Sequence, residues 1–395
     1  MYKHLAKIDK NILDKVYTQT NDLHDCIVYA KDYLTMKRNL ICLGNPFKAY
    51  PFISAFSLKL NPKEIITLAK NRVVTYITKN AKVSACSFVS KKALHVDSFY
   101  KRGMYGDGGV VAIIDTGVHP HLDFVFPKNR IIKFVDLINH KDKPYDDNGH
   151  GTMVTSLACG SGIVHNKKYS GISPRSKIVV IKAIASNGET SSEKILEAMQ
   201  WVYDNKRKYN ISVVCMSFGS IPSDNYDPLA IGAESLWNSG ICVVAAAGNS
   251  GPDKESIRSP GISRKIITVG GFDDKRQGDD IDAKRFAIAD FSSRGPAGSF
   301  YKPDLVAPAV NIVGANASGG YVSMSGTSVA TPLIAGIAAL MTSKYPHISP
   351  DQIKVRLVRC CNKISDDQNE GGFGYIDCDK LFSWIMCLVF ALGLL

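Results

Sequence analysis

Val110-Val111-Ala112-Ile113-Ile114 is an unbroken apolar run, with glycines before it and Asp115-Thr116-Gly117 after it. A run so short and so apolar reads as a strand buried on both faces. The same pattern returns at Lys177 to Ile184, Ile211 to Met216, Ile241 to Ala247 and Ile266 to Val269. Between these runs the periodicity changes. Ser191-Ser192 caps a helix whose apolar residues Ile195, Met199, Val202 and Tyr203 keep helical spacing, and Pro228 to Asn238 is a second helix. Ser349-Pro350-Asp351 opens a last helix that runs to about Val358. Strand and helix in alternation imply an α/β fold, a doubly wound, mostly parallel sheet with helices on both faces. Such sheets place ligands at the carboxyl ends of their strands.

Four polar residues stand where that rule directs attention. Asp115 ends the first core strand. A lone Asp-Thr-Gly also occurs in aspartic proteases, but that chemistry needs two carboxylates, and there is no second such triplet. His150 lies in Asp146-Asp147-Asn148-Gly149-His150-Gly151-Thr152, a turn leading into a small-residue helix, Met153 to Ala158. Asn249 closes the strand in Ala245-Ala246-Ala247-Gly248-Asn249, where its amide can donate to an oxyanion. Ser328 lies in Met324-Ser325-Gly326-Thr327-Ser328-Val329-Ala330-Thr331-Pro332, ahead of the apolar segment Leu333 to Met341. A serine at a helix start meets unpaired N–H groups and a dipole that favour developing negative charge. Each residue alone reads equally as a cap or a turn. Their order along the chain gives them meaning together.

With those motifs in that order, roughly residues 105 to 380 resemble the subtilisin-like serine proteases, of intracellular bacterial type. The resemblance implies a catalytic triad of Asp115, His150 and Ser328, with Asn249 at the oxyanion hole, in a serine endopeptidase. It implies substrate-binding edges at Ser217-Phe218-Gly219 and Ala246-Ala247-Gly248, along which a peptide adds as a strand. Arg258 matches the base of the family's main specificity pocket and implies a preference for acidic or polar side chains. Met153 and Val329 depart from the commonest family wording without removing a catalytic group. The calcium loops of secreted relatives are not evident between Cys159 and Ser173, so no cofactor is implied for the chemistry and no calcium requirement carries over. Metal catalysis also lacks a signature: there is no H-E-x-x-H, and His119-Pro120-His121-Leu122-Asp123 reads as a turn. An esterase or amidase on the same triad, or a silent relative used as a binding scaffold, would carry the same residues.

The chain of 395 residues leaves room for a second unit before the protease-like part. Cys26 to Ala30 and Val73 to Ile77 read as strands, Phe52 to Leu58 alternates, and Asn61-Pro62 starts a helix through Ala69. These make residues 1-86 a small α+β domain, similar to the family's propeptides, which act as intramolecular chaperone and inhibitor. Residues 87-109 read as a linker and 110-380 as the catalytic domain, with self-cleavage expected within Lys82 to Lys92. The net charge of +12 is concentrated at the front: residues 1 to 102 hold 18 Lys/Arg and 7 Asp/Glu, or +11, and the remainder +1. Without Arg-rich repeats or interleaved aromatics this is a solvated or domain-docking face, and nucleic acid is not an expected partner. Ten cysteines without a C-x-x-C pair, and a start with no apolar signal core, fit a cytoplasmic protein with free thiols. The tail Leu381 to Leu395 is uncharged and nearly all apolar, but shorter than the roughly 20 residues that span a bilayer. It is expected to dock on the protein or to touch a membrane surface.

Overall fold

The computed structural model describes residues 4–9, 12–13, 22–80, 82–85, 92–223, 226–275 and 282–381. The first unit is a four-stranded antiparallel sheet of β1 (His24–Ala30), β2 (Phe47–Tyr50), β3 (Ala55–Leu60) and β4 (Val74–Lys79), in the order β2-β3-β1-β4. Two helices cover it. Tyr33–Leu43 starts on the side chain of Asp32, which accepts from Thr35 N. Pro62–Lys70 starts on a reciprocal capping box between Asn61 and Glu64. The two-residue period of β1 then decides where each side chain goes. Cys26, Val28 and Ala30 pack with Met36, Leu40, Ile65 and Leu68 in this unit's own core. Ile27 and Tyr29 point the other way and join the core of the larger unit.

A short strand, β5 (Lys82–Ala85), leads away from this sheet. The segment read as a linker is packed structure from Lys92 onward: Lys92–Leu94 and Asp97–Tyr100 are helical, and Ala93, Leu94, Val96 and Phe99 are buried. The charged pairs Lys91-Lys92 and Lys101-Arg102 obscured the apolar residues between them.

The larger unit is built on β6 (Val110–Asp115), β7 (Ile131–Asp136), β8 (Lys177–Lys182), β9 (Glu189–Ser191), β10 (Val213–Met216), β11 (Phe218–Gly219), β12 (Cys242–Ala246), β13 (Ile267–Asp273), β14 (Ala287–Ile288) and β15 (Leu305–Pro308), the hairpin β16 (Ile312–Ala315) and β17 (Tyr321–Met324), then β18 (Cys361–Asn362) and β19 (Tyr375–Ile376). The main sheet runs β18-β19-β15-β13-β12-β10-β6-β8-β7. It is parallel from β7 to β19, and only β14 and the edge strand β18 pair antiparallel. Strands β6, β10 and β12 are buried along their whole length, as a sheet covered on both faces requires. Helices His150–Cys159 and Thr327–Lys344 pack against each other, and Ser192–Tyr209 against Pro228–Asn238. This is the doubly wound α/β architecture expected from the sequence.

The chain places β8 and β7 on one side of β6, and β10, β12 and β13 on the other. The carboxyl end of β6 is therefore the switch point of the sheet, and Asp115 stands there. No described helix is long and apolar enough to cross a membrane. The apolar tail beyond Leu381 lies outside the described residues.

Candidate active site

Asp115 is fully buried, and its Oδ1 accepts from Thr116 N at 2.7 Å and from His150 Nδ1 at 2.6 Å. The two glycines of the flanking motifs explain how strand end and helix come so close. A Cβ on Gly117 would lie 2.2 Å from Tyr145 O, and one on Gly151 would lie 2.1 Å from Gly117 O. Only bare backbone fits at that crossing. A carboxylate only accepts, so Nδ1 carries the proton and Nε2 is left as the basic nitrogen. The helix begins at His150 itself, earlier than Met153 as the sequence suggested, because Gly149 turns the chain at φ 99.

Asp146 fixes this pairing from below. Its Oδ1 accepts from Thr116 Oγ1, Asn148 N and Gly149 N, and its Oδ2 from Thr152 N and Thr152 Oγ1. Thr116 Oγ1 in turn accepts from Gly151 N at 2.8 Å. One carboxylate thus ties the turn after Asp115 to the first turn of the histidine's helix. Burial raises the Asp146 pKa, but the bonds from Thr152, Gly149 and Asn148 outweigh it, and the net shift is downward. Lys182, fully buried at the end of β8, donates to Thr116 O, Asp147 Oδ1 and Ile184 O. Neither Asp146 nor Lys182 stood out in the sequence. The signal present was an acidic residue just ahead of a helix, which is also the signature of an ordinary cap.

Ser328 is the second residue of the helix Thr327–Lys344 and is 2 % exposed. Its Oγ hydrogen-bonds to none of the described side chains. The hydrogen bonds of a catalytic hydroxyl are often long or poorly aligned in a free enzyme and tighten only around a bound substrate. Asn249 is oriented by the residue before the serine: its Oδ1 accepts from Thr327 N at 2.8 Å and from Thr327 Oγ1 at 3.1 Å. With the oxygen held, the amide nitrogen is the group left for the cleft that Asn249 and Ser328 line together.

That cleft has a volume of about 340 Å³, and Ser217, Phe218, Gly219, Ala246 and Gly248 contribute to its walls. Ala247 does not: its N–H and carbonyl are taken by Val269 O and Arg258 N. Arg258 lines the cleft and is half-buried. Both Nε and Nη2 donate to Ser250 Oγ, at 2.9 and 2.6 Å, and among the described residues no carboxylate pairs with it. A Cβ on Gly248 would meet Arg258 Cγ at 2.3 Å, so the glycine makes room for the arginine stem.

Strand β5 of the first unit lies between β11 and β9, antiparallel to both. Ser84 is opposite Gly219, Ala85 opposite Phe218, and Val83 opposite Thr190. The second edge that holds this strand is therefore Glu189–Ser191, while Ala246 and Gly248, expected as an edge for a peptide substrate, line the cleft. The first unit also grips the larger one elsewhere. Asn80 Oδ1 accepts from Glu193 N, Tyr50 donates to Glu193 O, Ser235 donates to Phe52 O, and Tyr76 stacks on Tyr226 at 4.6 Å.

His95, Asp377 and Asp379 bring one donor atom each within 4.8 Å of one another, and this group shares no residue with the cleft.

The model of the subtilase family matches residues 106–375. The chain belongs to the subtilase family. It is 36% identical over 328 residues to the serine protease AprX of Bacillus subtilis, covering 76% of this chain and 72% of that protein. It is 30% identical over 318 residues to a thermostable alkaline protease of Halalkalibacterium halodurans, with 79% and 78% covered. Subtilisin DY of Bacillus licheniformis is 30% identical over 276 residues, with 69% of this chain and 90% of that protein covered. This subtilase is a serine endopeptidase, a hydrolase of peptide bonds.

Proposed function

We propose that this subtilase is made as a zymogen that cuts itself, with Ser328 as nucleophile, His150 as general base and acid, and Asp115 holding the imidazole. Ser328 Oγ attacks the scissile carbonyl while His150 Nε2 takes its proton, and the same nitrogen returns it to the leaving amine. Water then repeats the sequence on the acyl-enzyme. The Asn249 amide and the Ser328 backbone N–H at the helix start stabilise the oxyanion. The 2.6 Å bond between His150 and Asp115 carries the assignment of the base. The arrangement of β5 between β9 and β11 carries the zymogen reading, because it has the pairing of a bound peptide.

The direction of β5 runs past Gly219 and Phe218 towards Ser217. Counting one residue on from Ala85 sets the scissile carbonyl at Cys86, which lies outside the described residues along with most of the segment Lys82 to Lys92. Self-cleavage after Cys86 yields a new N-terminus at Ser87. In other substrates, Arg258 favours an acidic side chain before the cut. Tethering, which raises effective concentration by orders of magnitude, lets the chain's own Cys86 be cut regardless of that preference. The N-terminal unit then acts as the inhibitor. The free thiols of the eight described cysteines support a reducing, cytoplasmic setting.

Full-length wild type and Ser328→Ala, followed by mass spectrometry of the N-terminus, test the reading. Wild type is expected to shorten to Ser87 and the variant to stay full length. Shortening of Ser328→Ala at the wild-type rate excludes self-processing. Casein digestion compared with hydrolysis of a simple ester separates the endopeptidase from an esterase on the same triad.

A further inference from the structure

A cationic cavity of the larger unit is at the opposite end of the sheet from Ser328. Gly108, just before β6, Arg130, just before β7, and Lys177, the first residue of β8, all line it. Asp115 and Lys182 end those strands on the other edge. Six residues at roughly 3.3 Å each separate the two edges by roughly 20 Å, and the cavity shares no residue with the catalytic cleft.

Its volume is about 730 Å³, within the range of roughly 300–1,000 Å³ typical of small-molecule sites. Five cations line it, Lys128, Arg130, Lys167, Arg175 and Lys177, against two carboxylates, Asp97 and Asp107. One of those carboxylates is already engaged, by Arg175 at 3.4 Å. Arg130 spends its guanidinium on two backbone carbonyls, Ser176 O and Asp123 O, and pairs with no carboxylate among the described residues. Burial depresses its pKa, as expected for a cation held away from water. The walls between the charges are flat and apolar. Tyr100 and Tyr105 stack at 5.3 Å and 8°, with Arg175 over the ring of Tyr105 at 4.4 Å, and Phe126 and Ile132 remain 55% and 37% exposed at the mouth. Exposed aromatic and aliphatic surface beside an excess of positive charge is the combination that marks a binding surface.

We infer that this cavity is a second binding site, for an organic anion: a carboxylate on a flat aromatic body, with the charge towards Arg130, Lys128 and Lys177 and the ring against Phe126 and Ile132. The charge balance argues for an anion over a neutral or cationic ligand. The flat apolar walls argue for an aromatic body over a bare inorganic ion. The site acts from the amino edge of the sheet, so its ligand steadies the fold without competing for the cleft.

The test uses full-length Ser328→Ala protein, naphthalene-2-carboxylate as probe and 2-naphthamide as its uncharged isostere, with calorimetry and thermal unfolding as readouts. The acid is expected to bind once per chain and raise Tm, and the amide to bind about tenfold weaker or less, the loss of one charge-assisted hydrogen bond. Lys128→Gln/Lys177→Gln is expected to weaken the acid to the level of the amide. Ile132→Asp, a surface change at the mouth, is expected to do the same through repulsion, with unfolding curves confirming that both variants fold. Arg258→Ser is expected to leave binding unchanged. Equal binding of acid and amide, unchanged affinity in both cavity variants, no binding at millimolar probe, or loss of binding in Arg258→Ser each overturns the inference. The last result would move the anion to the catalytic cleft.

Discussion

Replacing Arg258 by Ser should invert the enzyme's choice of side chain before the cut. In the structure the guanidinium is half-buried in a cleft of about 340 Å³ and, among the described residues, is satisfied only by the neutral Ser250 hydroxyl. A glutamate side chain that reaches it exchanges a neutral partner for a charge-assisted one. At an effective dielectric near 20, a pair about 4 Å apart attracts by about 4 kcal/mol before desolvation is subtracted. Hydrogen bonds to charged groups retain about 1.5–3 kcal/mol after that subtraction. Taking about 2 kcal/mol, kcat/KM for a peptide with Glu before the cut should fall about 30-fold in Arg258→Ser. The same change removes a long stem from between Gly219 and Gly248, and the matching Phe peptide should improve by about tenfold as its ring gains apolar contact. The assay is a pair of fluorogenic peptides that differ only at that position, measured with wild type and variant at fixed ionic strength. A Glu-to-Phe ratio that moves by less than about threefold would show that Arg258 points away from the bound substrate, and the reasoning would fail.

Cys86→Glu should speed self-processing several-fold in wild type and lose that advantage in Arg258→Ser, read as the appearance of an N-terminus at residue 87 by mass spectrometry. Asp146→Ala should lower kcat about ten- to a hundredfold by loosening the approach of His150 to Asp115, and should cost about 2–4 kcal/mol in denaturant unfolding. The folded Asp146 pKa lies below its unfolded value, so its stabilisation is present above the unfolded pKa of about 3.9 and is lost as pH falls through the folded one. Asp146→Ala should accordingly show a shallower loss of stability below about pH 4, and an unchanged acid limb would contradict this. Tyr226→Ala, which removes the ring that stacks on Tyr76 and packs tilted against Tyr29, should weaken the hold of the N-terminal unit about ten- to a hundredfold, measured as earlier release of peptidase activity after the cut. Lys48→Ala should change that time by less than about fivefold, because the Lys48 pairs with Glu193 and Glu197 are substantially exposed.

Those residues that sequence alone could identify are the ones whose chemistry forces a local pattern. The glycines beside Asp115 and His150 are needed where two backbones cross, so the motifs are visible without any structure. The buried strands β6, β10 and β12 advertise themselves by being apolar on both faces. By contrast, the helix Tyr33–Leu43 mixes Lys37, Arg38 and Asn39 with its buried Met36 and Leu40, and no apolar stripe stands out. Strand β7 is half-exposed and carries Lys133, so its sequence lacks the unbroken run of its neighbours. The grip of Asp146 on five donors, and that of Thr327 on Asn249, join segments up to 78 residues apart, which no local pattern encodes. The pairing of β5 with Glu189–Ser191 was hidden for the same reason, since an edge becomes a binding edge only through what lies beside it.

The central claim is that one hydroxyl, activated by one imidazole, does the chemistry. Fluorophosphonate labelling of the active enzyme, followed by peptide mapping of the adduct, measures this directly. The account predicts a single adduct on Ser328, strongly reduced in His150→Ala and absent in Ser328→Ala. An adduct on another serine, or labelling that persists at the wild-type rate without His150, would contradict it.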